Sequence, residues 1–303
     1  MLVHQSASIR ILDYKCAGRV RKQGHEEHVD GYEVVLPREG IFVRHVNGQS
    51  IVADPNYALF FNRGECYRVS HPVEGGDRCT VLAFPTARIR DCLAHMNPDV
   101  LAVEAPLFTQ THTPTSPEVD LLHRRLLRAA ACVDESLAFE EIAIDLLAWL
   151  LSAITHSRND KNSSKRRAAT LRRHRELVAA VREQLSRRLG EKLSLDDLAA
   201  SVHVSPFHLS RVFRSRTGFS LSAYHRRLRL RTALERILDG EENLTRLAVE
   251  LGFSHHSHFA SAFRREFGSP PSAGRDRLTA SELRSAGSTL RYRPDAAEQE
   301  MRF

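Results

Sequence analysis

Between residues 31 and 84, apolar side chains come in six short runs separated by polar and turn-forming residues. The runs are rich in β-branched and aromatic residues, which favour strands: YEVVL, IFVRHV, SIVAD, YALFF, YRVSH and CTVLAF. Asn47-Gly48 separates the second run from the third, as in a two-residue hairpin turn. Short strands at this spacing predict a small antiparallel barrel or sandwich.

After residue 117 the spacing of apolar residues changes to a helical period. Two amphipathic helices are predicted, with stripes formed by Leu121, Leu122, Leu126 and Ala129 and by Ile142, Leu146, Trp149 and Leu150. Such a pair fits either a lid over the strands or a dimer interface, and the sequence favours neither.

The next segment, residues 157–174, has almost no large apolar side chains and several adjacent basic ones. It cannot bury enough surface to offset the cost of ordering, so a basic linker is predicted. Residues 175–278 are helical in period, and residues 279–303 are predicted to form a loosely ordered tail.

A chain of 303 residues is long enough for two domains. The first is expected to span residues 1–156.

The helical region contains an internal repeat. Leu198–Ser220 aligns with Leu247–Pro270, first at a separation of 49 residues and then of 50. Each copy predicts a helix, a tight turn and a second helix. In the first copy Ser194 begins a capping box, and Ser205-Pro206 supplies a cap oxygen followed by a proline at the first helical position.

The net charge of +7 is concentrated in one part of the chain. Residues 158–277 hold 25 Lys and Arg against 13 Asp and Glu, a net +12, whereas the remaining residues hold 19 against 24, a net −5. A concentrated positive field favours a polyanion. Nucleic acid is one, and its binding should depend strongly on salt because counterions are released on contact.

The spacing of the cysteines and the hydropathy of the sequence indicate the cellular compartment of the protein. The five cysteines are scattered and never spaced as C-x-x-C, which predicts reduced thiols in a cytoplasmic protein. Cys66 and Cys79 lie in predicted strands, where buried and inert thiols are expected. Neither a secretory leader nor a membrane-spanning apolar run is found, so export and membrane insertion are not expected.

The second copy of the repeat carries a family resemblance. LAVELGFSHHSHFASAFRREFGSPPSAGR resembles the second helix-turn-helix signature of AraC/XylS-type transcription regulators, in its LA and GF pairs, its F-x-x-x-F-R-R-x-F-G core and its closing P-S. With the first copy at the matching separation, the resemblance covers roughly residues 175–277. It implies a long helix near Leu221 to Asp239 that sets both recognition helices on one side, facing major grooves about 34 Å apart.

The N-terminal half is similar, less specifically, to the cupin-like sensor domains of many members, in ALFFNRGECYRVSHPV and GGDRCTVLAF. The expected fold is therefore α+β and multidomain. A small antiparallel cupin-like β-barrel with two helices precedes an all-α domain with two helix-turn-helix motifs.

The resemblance implies a sequence-specific DNA-binding transcription regulator, more often an activator than a repressor. Its N-terminal domain would sense a small molecule or dimerise. Double-stranded DNA is the expected partner, and the further candidates are RNA polymerase, a small-molecule effector and a second copy of the chain. No membrane partner, cofactor, metal or catalytic residue is expected.

Candidate DNA contacts lie on the exposed side of the second helix of each copy, opposite an apolar side that carries Leu209, Val212, Phe213 and Arg216. Arginine can bridge guanine O6 and N7, and phenylalanine can contact a thymine methyl group. The expected base contacts are Phe207, His208, Ser210 and Arg211 in the first copy and Ser257, His258 and Ser261 in the second. Phosphate contacts, which set the register, are expected from Arg214, Arg264 and Arg265.

Two positions depart from the family pattern. His203 occupies the turn position that Gly252 holds in the second copy, and a positive φ there would strain a residue with a side chain. Ser261 stands where the family often has arginine, which implies weaker or water-mediated base contacts by the second helix. Specificity would then rest mainly on the first copy.

Clustered histidines suggest a metal alternative at two places. His255 and His258, spaced i, i+3, could share a cation, but no third ligand is near them in sequence, so surface or groove-facing side chains explain them better. The HEEH run that contains His25 and His28 would suit a metal-dependent cupin enzyme with an auxiliary DNA-binding domain. The usual cupin order of H-x-H, a later Glu and a further His is not reproduced, so this enzyme is the alternative function.

Overall fold

The structure is a computed structural model that describes residues 1–6, 8–16, 24–96, 106–130, 136–155 and 165–273. All the described strands and the first three helices form one unit, called the β domain below. The strands are β1 (Leu2–Gln5), β2 (Arg10–Cys16), β3 (Glu26–His28), β4 (Tyr32–Gly40), β5 (Phe42–Val46), β6 (Gln49–Ala53), β7 (Tyr57–Phe61), β8 (Cys66–Ser70), β9 (Asp77–Phe84) and β10 (His112–Pro114). The helices are α1 (Thr86–Met96), α2 (Pro117–Ala129) and α3 (Ser136–Thr155).

The strands pair in two antiparallel sheets. One has the order β1-β2-β9-β4-β7-β10, and the other has the order β3-β8-β5-β6. Asn47 and Gly48 join β5 to β6 with positive φ angles of 48° and 71°, so the predicted hairpin turn is confirmed. Both sheets contribute to one apolar core, which contains Val35, Phe42 and Phe61.

The three helices pack on the other face of the six-stranded sheet. Ile89, Leu126 and Leu146 of the helices share a second core with Val34 and Leu82 of the sheet. Because Val34 and Val35 point to opposite faces of β4, this core lies on the far side of the sheet from the first. The described helices therefore cover a sheet face.

Six further helices form the helical domain: α4 (Lys165–Arg187), α5 (Leu195–Ser201), α6 (Pro206–Thr217), α7 (Leu221–Leu238), α8 (Leu244–Glu250) and α9 (His256–Phe267). The first half of α7 closes a core with α4, α5 and α6, and its second half closes a separate core with α8 and α9. Leu189 packs against both cores and so joins the two units.

Several expectations from the sequence need correction. Part of the predicted linker is helical, because α4 begins at Lys165 and its Arg, Lys and Ala residues are good helix formers. α1 was not predicted, nor were β1, β2, β3 and β10. Cys79 is buried as expected, but Cys66 is exposed. Residues 157–164 and 279–303, parts of the predicted linker and tail, lie outside the described residues. Among the described helices, none is long and apolar enough to cross a membrane.

Candidate nucleic-acid interface

The first helix-turn-helix unit consists of α5, a tight turn and α6. The Ser194 hydroxyl accepts a hydrogen bond from Asp197 N at 3.0 Å, and the Ser205 hydroxyl accepts one from His208 N at 3.2 Å. Pro206 follows as the first residue of α6, where a missing N–H costs nothing. Both predicted helix starts are therefore confirmed.

The solvent-facing side of α6 carries the predicted contact residues. Phe207 is 76% exposed, although phenylalanine is among the residue types most often buried in folded proteins. Ser210, Arg211 and Arg214 are also exposed, and His208 is half-buried because its ring lies 5.7 Å from that of His174 on α4.

One residue of α6 lies on a different side of the helix from the one predicted from the sequence. Arg216 was expected on the apolar side but is exposed, and its guanidinium donates to the Leu171 carbonyl at 3.5 Å. Thr217 takes the buried position instead, and its hydroxyl donates to the Phe213 carbonyl at 2.8 Å.

The second unit repeats this arrangement with α8 and α9. Phe259, Phe263 and Phe267 form the buried side of α9. The predicted contact residues face solvent: Ser257, His258, Ser261, Arg264 and Arg265. The opening of this helix differs from that of α6, because its cap residue, His255, makes no side-chain capping bond.

The two turns have the same backbone shape but different residues. His203 has a φ of 55° and Gly252 a φ of 76°, both in the left-handed region. A residue with a side chain costs roughly 1 to 2 kcal/mol in this region, so the strain expected at His203 is present. At Gly252 a side chain is also excluded sterically, since a Cβ would lie 2.3 Å from the Gly190 carbonyl oxygen.

Arg229 on α7 holds the two units together, and it is not among the residues predicted from the sequence. Its guanidinium donates to the carbonyl oxygens of Leu189 at 2.7 Å, Glu191 at 2.7 Å and Gly252 at 3.2 Å. The first two acceptors lie between α4 and α5, and the third lies in the turn of the second unit. Burial lowers the pKa of Arg229. No sequence motif marks it, because its partners are backbone carbonyls.

Comparison with known proteins identifies the family. The family described as "Helix-turn-helix domain" matches residues 198–277. Regulatory protein SoxS of Salmonella typhimurium is 30% identical over 105 residues, which are 35% of this chain and 98% of that protein. The chain belongs to the AraC/XylS family. It is a DNA-binding transcription regulator.

Other relatives match over different lengths. The transcriptional activator RhaS of Escherichia fergusonii is 25% identical over 249 residues, which are 81% of this chain and 85% of that protein. Regulatory protein PocR of Salmonella typhimurium is 31% identical over 90 residues, and this chain spans only 30% of its length. Sequence similarity to these AraC/XylS proteins is therefore found most consistently in the helical domain.

In this AraC/XylS protein, basic residues of the helical domain also bind the β domain. Arg182 of α4 donates to the Asp54 carboxylate at 2.9 Å, and the Tyr224 hydroxyl of α7 donates to the same carboxylate at 2.6 Å. Arg182 lies over the Tyr57 ring, 4.0 Å from its centroid. Burial by itself would lower the pKa of Arg182, but the Asp54 carboxylate outweighs it and raises that pKa.

A second group of contacts surrounds the middle of α7. Arg231 pairs with Asp120 of α2 at 2.6 Å and donates to Asn56 at 2.8 Å. Glu235, which is 1% exposed, pairs with Arg124 of α2 and lies 3.9 Å from Arg38 of β4. Since arginines of 158–277 are used here, the sequence count overstates the positive charge available to DNA.

Among the residues that the structure describes, the histidines of the metal alternatives belong to no cluster of three potential metal ligands. His28 is exposed, with Nδ1 3.3 Å from Cys66 Sγ, whereas His25 lines a cavity of 460 Å³ in the β domain. His255 and His258 are exposed on α9, and the ring of His258 lies 5.8 Å from that of Phe253. Each therefore has a structural environment of its own.

Proposed function

We propose that α6 and α9 enter two successive major grooves of one DNA duplex. Base contacts are assigned to Phe207, His208, Ser210 and Arg211 on α6 and to Ser257, His258 and Ser261 on α9. Phosphate contacts are assigned to Arg214, Arg264 and Arg265. The supporting observation is that these ten side chains are exposed or half-buried while the opposite sides of both helices are buried.

The two helices contribute unequally to specificity in this proposal. α6 presents an arginine and an exposed phenylalanine at its base-contacting positions, whereas α9 presents two serines and a histidine. Arginine forms two hydrogen bonds to guanine, and phenylalanine packs on thymine methyl groups, so α6 discriminates more strongly. α9 mainly sets affinity and register.

The β domain, residues 1–156, is proposed to be the regulatory part, which senses a small molecule or dimerises. Residues of both sheets line the 460 Å³ cavity, a size suited to a small ligand, and closure into a cupin-like barrel is part of this proposal. The DNA-binding domain is proposed to extend from α4 to residue 278. We favour activation, through contact with RNA polymerase in the cytoplasm, over repression and over catalysis.

Selection of binding sites from random duplex DNA with the full-length protein tests this proposal. Two preferred blocks, separated by about one helical turn, are expected, with the stronger preference in the α6 block. Affinity for the selected duplex should fall steeply with salt concentration. Enrichment of a single block would overturn two-groove binding, and no enrichment would overturn sequence-specific recognition by α6.

A further inference from the structure

Three potential metal ligands converge where β2 meets β9, and none of them belongs to the HEEH run or to a helix-turn-helix unit. Ligand atoms of Cys16, His71 and Asp77 all lie within 4.8 Å of one another. Cys16 ends β2 and stands directly opposite Asp77, which begins β9, so the two side chains point to the same face of the sheet. His71 follows β8, and its Nε2 lies 2.6 Å from Asp77 Oδ1.

Cys79 lies beside this group, in contact with Asp77, but is not one of the three residues whose ligand atoms lie within 4.8 Å of one another. It lies two residues beyond Asp77 on β9, so its side chain shares the same face. Its thiol donates to Asp77 Oδ2 at 3.1 Å, and the residue is 2% exposed. All four residues line the 460 Å³ cavity of the β domain.

This set of donors selects a thiophilic cation. Two sulfurs, an imidazole nitrogen and a carboxylate oxygen match the ligands and the fourfold coordination of Zn²⁺, whereas Mg²⁺ and Ca²⁺ require oxygen ligands. A Zn²⁺–sulfur bond is about 2.3 Å, so binding would draw the donors of Cys16, His71 and Asp77 together by roughly 1 Å, and the Cys79 sulfur would move further.

A disulfide between the two cysteines fits this geometry less well. Cys16 faces Asp77, so Cys79 is its diagonal neighbour, and diagonal Cα atoms of an antiparallel pair lie about 7 to 8 Å apart. A disulfide needs a Cα separation below about 7 Å, whereas two thiolates can share a metal ion from this distance.

The backbone around Asp77 is held in place. Gly40 pairs with Asp77 across β4 and β9, at a φ of 76°. A Cβ on Gly40 would lie 2.1 Å from the carbonyl oxygen of Gly76, so no other residue fits without moving that loop. Asp77 is therefore positioned before any ligand arrives.

We propose that Cys16, His71, Asp77 and Cys79 bind a divalent cation of the Zn²⁺ type. The ligand sensed by the β domain would then be, or would include, a thiophilic metal ion.

The segment between the ligands contacts the helical domain at both of its ends. The Pro72 carbonyl, next to His71, accepts a hydrogen bond from Arg187 of α4. Arg78, next to Asp77, pairs with Asp239 at the end of α7 at 2.5 Å. Ligation that shifts His71 and Asp77 would thus shift contacts to α4 and α7. This coupling, unlike the cation site itself, rests on the proposed function in DNA binding.

Titration of the reduced full-length protein with Co²⁺ tests the site, because thiolate-bound Co²⁺ has a charge-transfer absorption that other ligands do not give. The variants are Cys16→Ser and His71→Ala. Cys92→Ser on α1 is the matched cysteine control, and His25→Ala tests the ligand of the enzyme alternative. Circular dichroism shows which variants are folded.

One equivalent of Co²⁺, displaced by Zn²⁺, is expected for the wild type, Cys92→Ser and His25→Ala. Affinity should fall at least about 100-fold in folded Cys16→Ser and His71→Ala. Absence of the thiolate band in the wild type, or its retention in both of these variants, would overturn the site. Loss on His25→Ala alone would also overturn it, in favour of the enzyme alternative.

DNA binding is measured separately with the selected duplex. A change in affinity of about fivefold or more on adding Zn²⁺, abolished in His71→Ala, is expected from the coupling. Equal affinity with and without Zn²⁺, in a protein that binds Co²⁺ at the cluster, would overturn the coupling. Failure of the wild type to bind any selected duplex, both with and without Zn²⁺, would instead count against the proposed function.

Discussion

The Tyr224 hydroxyl donates a 2.6 Å hydrogen bond to the Asp54 carboxylate across the boundary between the helical domain and the β domain. Tyr224 lies near the start of the helix that joins the two helix-turn-helix units, and Asp54 directly follows β6. Arg182 of α4 donates to the same carboxylate, which is completely buried. A single acidic group of the β domain therefore holds two helices of the DNA-binding half.

Replacing this acidic group should destabilise the protein strongly. Asp54→Asn keeps the size of the side chain but leaves the buried Arg182 guanidinium without a counter-charge. Loss of one partner of a buried ion pair typically costs about 3 to 5 kcal/mol. Chemical denaturation followed by circular dichroism would measure the decrease in the free energy of unfolding.

An exposed ion pair of the β domain provides the control for this prediction. Glu26 and Arg68 lie 3.4 Å apart with side chains 59% and 49% exposed. Glu26→Gln should change the stability by less than about 1 kcal/mol. Equal effects of Glu26→Gln and Asp54→Asn would contradict the importance assigned to the buried pair.

Alanine variants of two glycines with similar φ angles should distinguish destabilisation by steric overlap from destabilisation by backbone strain alone. Gly252 has a φ of 76°, and a Cβ there would lie 2.3 Å from the Gly190 carbonyl oxygen, whereas Gly218 has a φ of 78° and open space around it. Gly218→Ala should cost about 1 kcal/mol through strain alone. Gly252→Ala should cost about 3 kcal/mol, because the backbone contact between the two units must also open. Thermal unfolding of both variants is the measurement, and similar losses would show that the close approach is unimportant.

Arg211 and Arg214 on α6 should affect DNA binding in different ways. Arg211→Ala is expected to cost about 1 to 3 kcal/mol of binding free energy and to relax the preference at one base position. Arg214→Ala should weaken binding about equally for all sequences. It should also reduce the number of counterions released on binding, measured from the salt dependence of the affinity, by about one. Fluorescence anisotropy with the selected duplex and its single-base variants would measure both effects. A uniform loss for Arg211→Ala would reassign that residue to a phosphate contact.

Stability should decrease in mild acid because of His225 on α7. Burial, with a further contribution from Arg229, lowers the pKa of His225 to about 4 from its ordinary value of 6.5. Between these two values the unfolded chain binds a proton that the folded chain does not, so stability falls as the pH drops from 6.5 towards 4. The full contribution is about 3 kcal/mol.

The variant His225→Gln tests this pH dependence, since it removes the titrating group. Its free energy of unfolding should fall less than that of the wild type between pH 6.5 and 4.5. His112, whose pKa burial also lowers to about 4, keeps its own share of the acid sensitivity in the variant. Identical pH profiles for the variant and the wild type would show that His225 is not the group responsible.

The helix-turn-helix units were predictable because their signals are local. Ser205 caps a helix through the amide three positions further along the chain, and the apolar spacing of Leu209, Val212 and Phe213 defines the buried side within one helix. The short edge strands were not predicted, because they lack such local signals. β3, with the sequence EEH, has no apolar residue to mark it, and it forms only because β8 pairs with it.

By itself the sequence determined the repeat, the capped helices, the central strands and the exposed faces of α6 and α9, since each depends on residues close together in the chain. Only the tertiary structure decided which arginines bind the β domain and are therefore not available to DNA, because Arg182 and Asp54 are 128 residues apart. The same holds for Cys16, His71 and Asp77. Cys16 and Asp77 meet through the pairing of β2 with β9, and His71 follows β8 of the other sheet, so no spacing along the chain records that meeting.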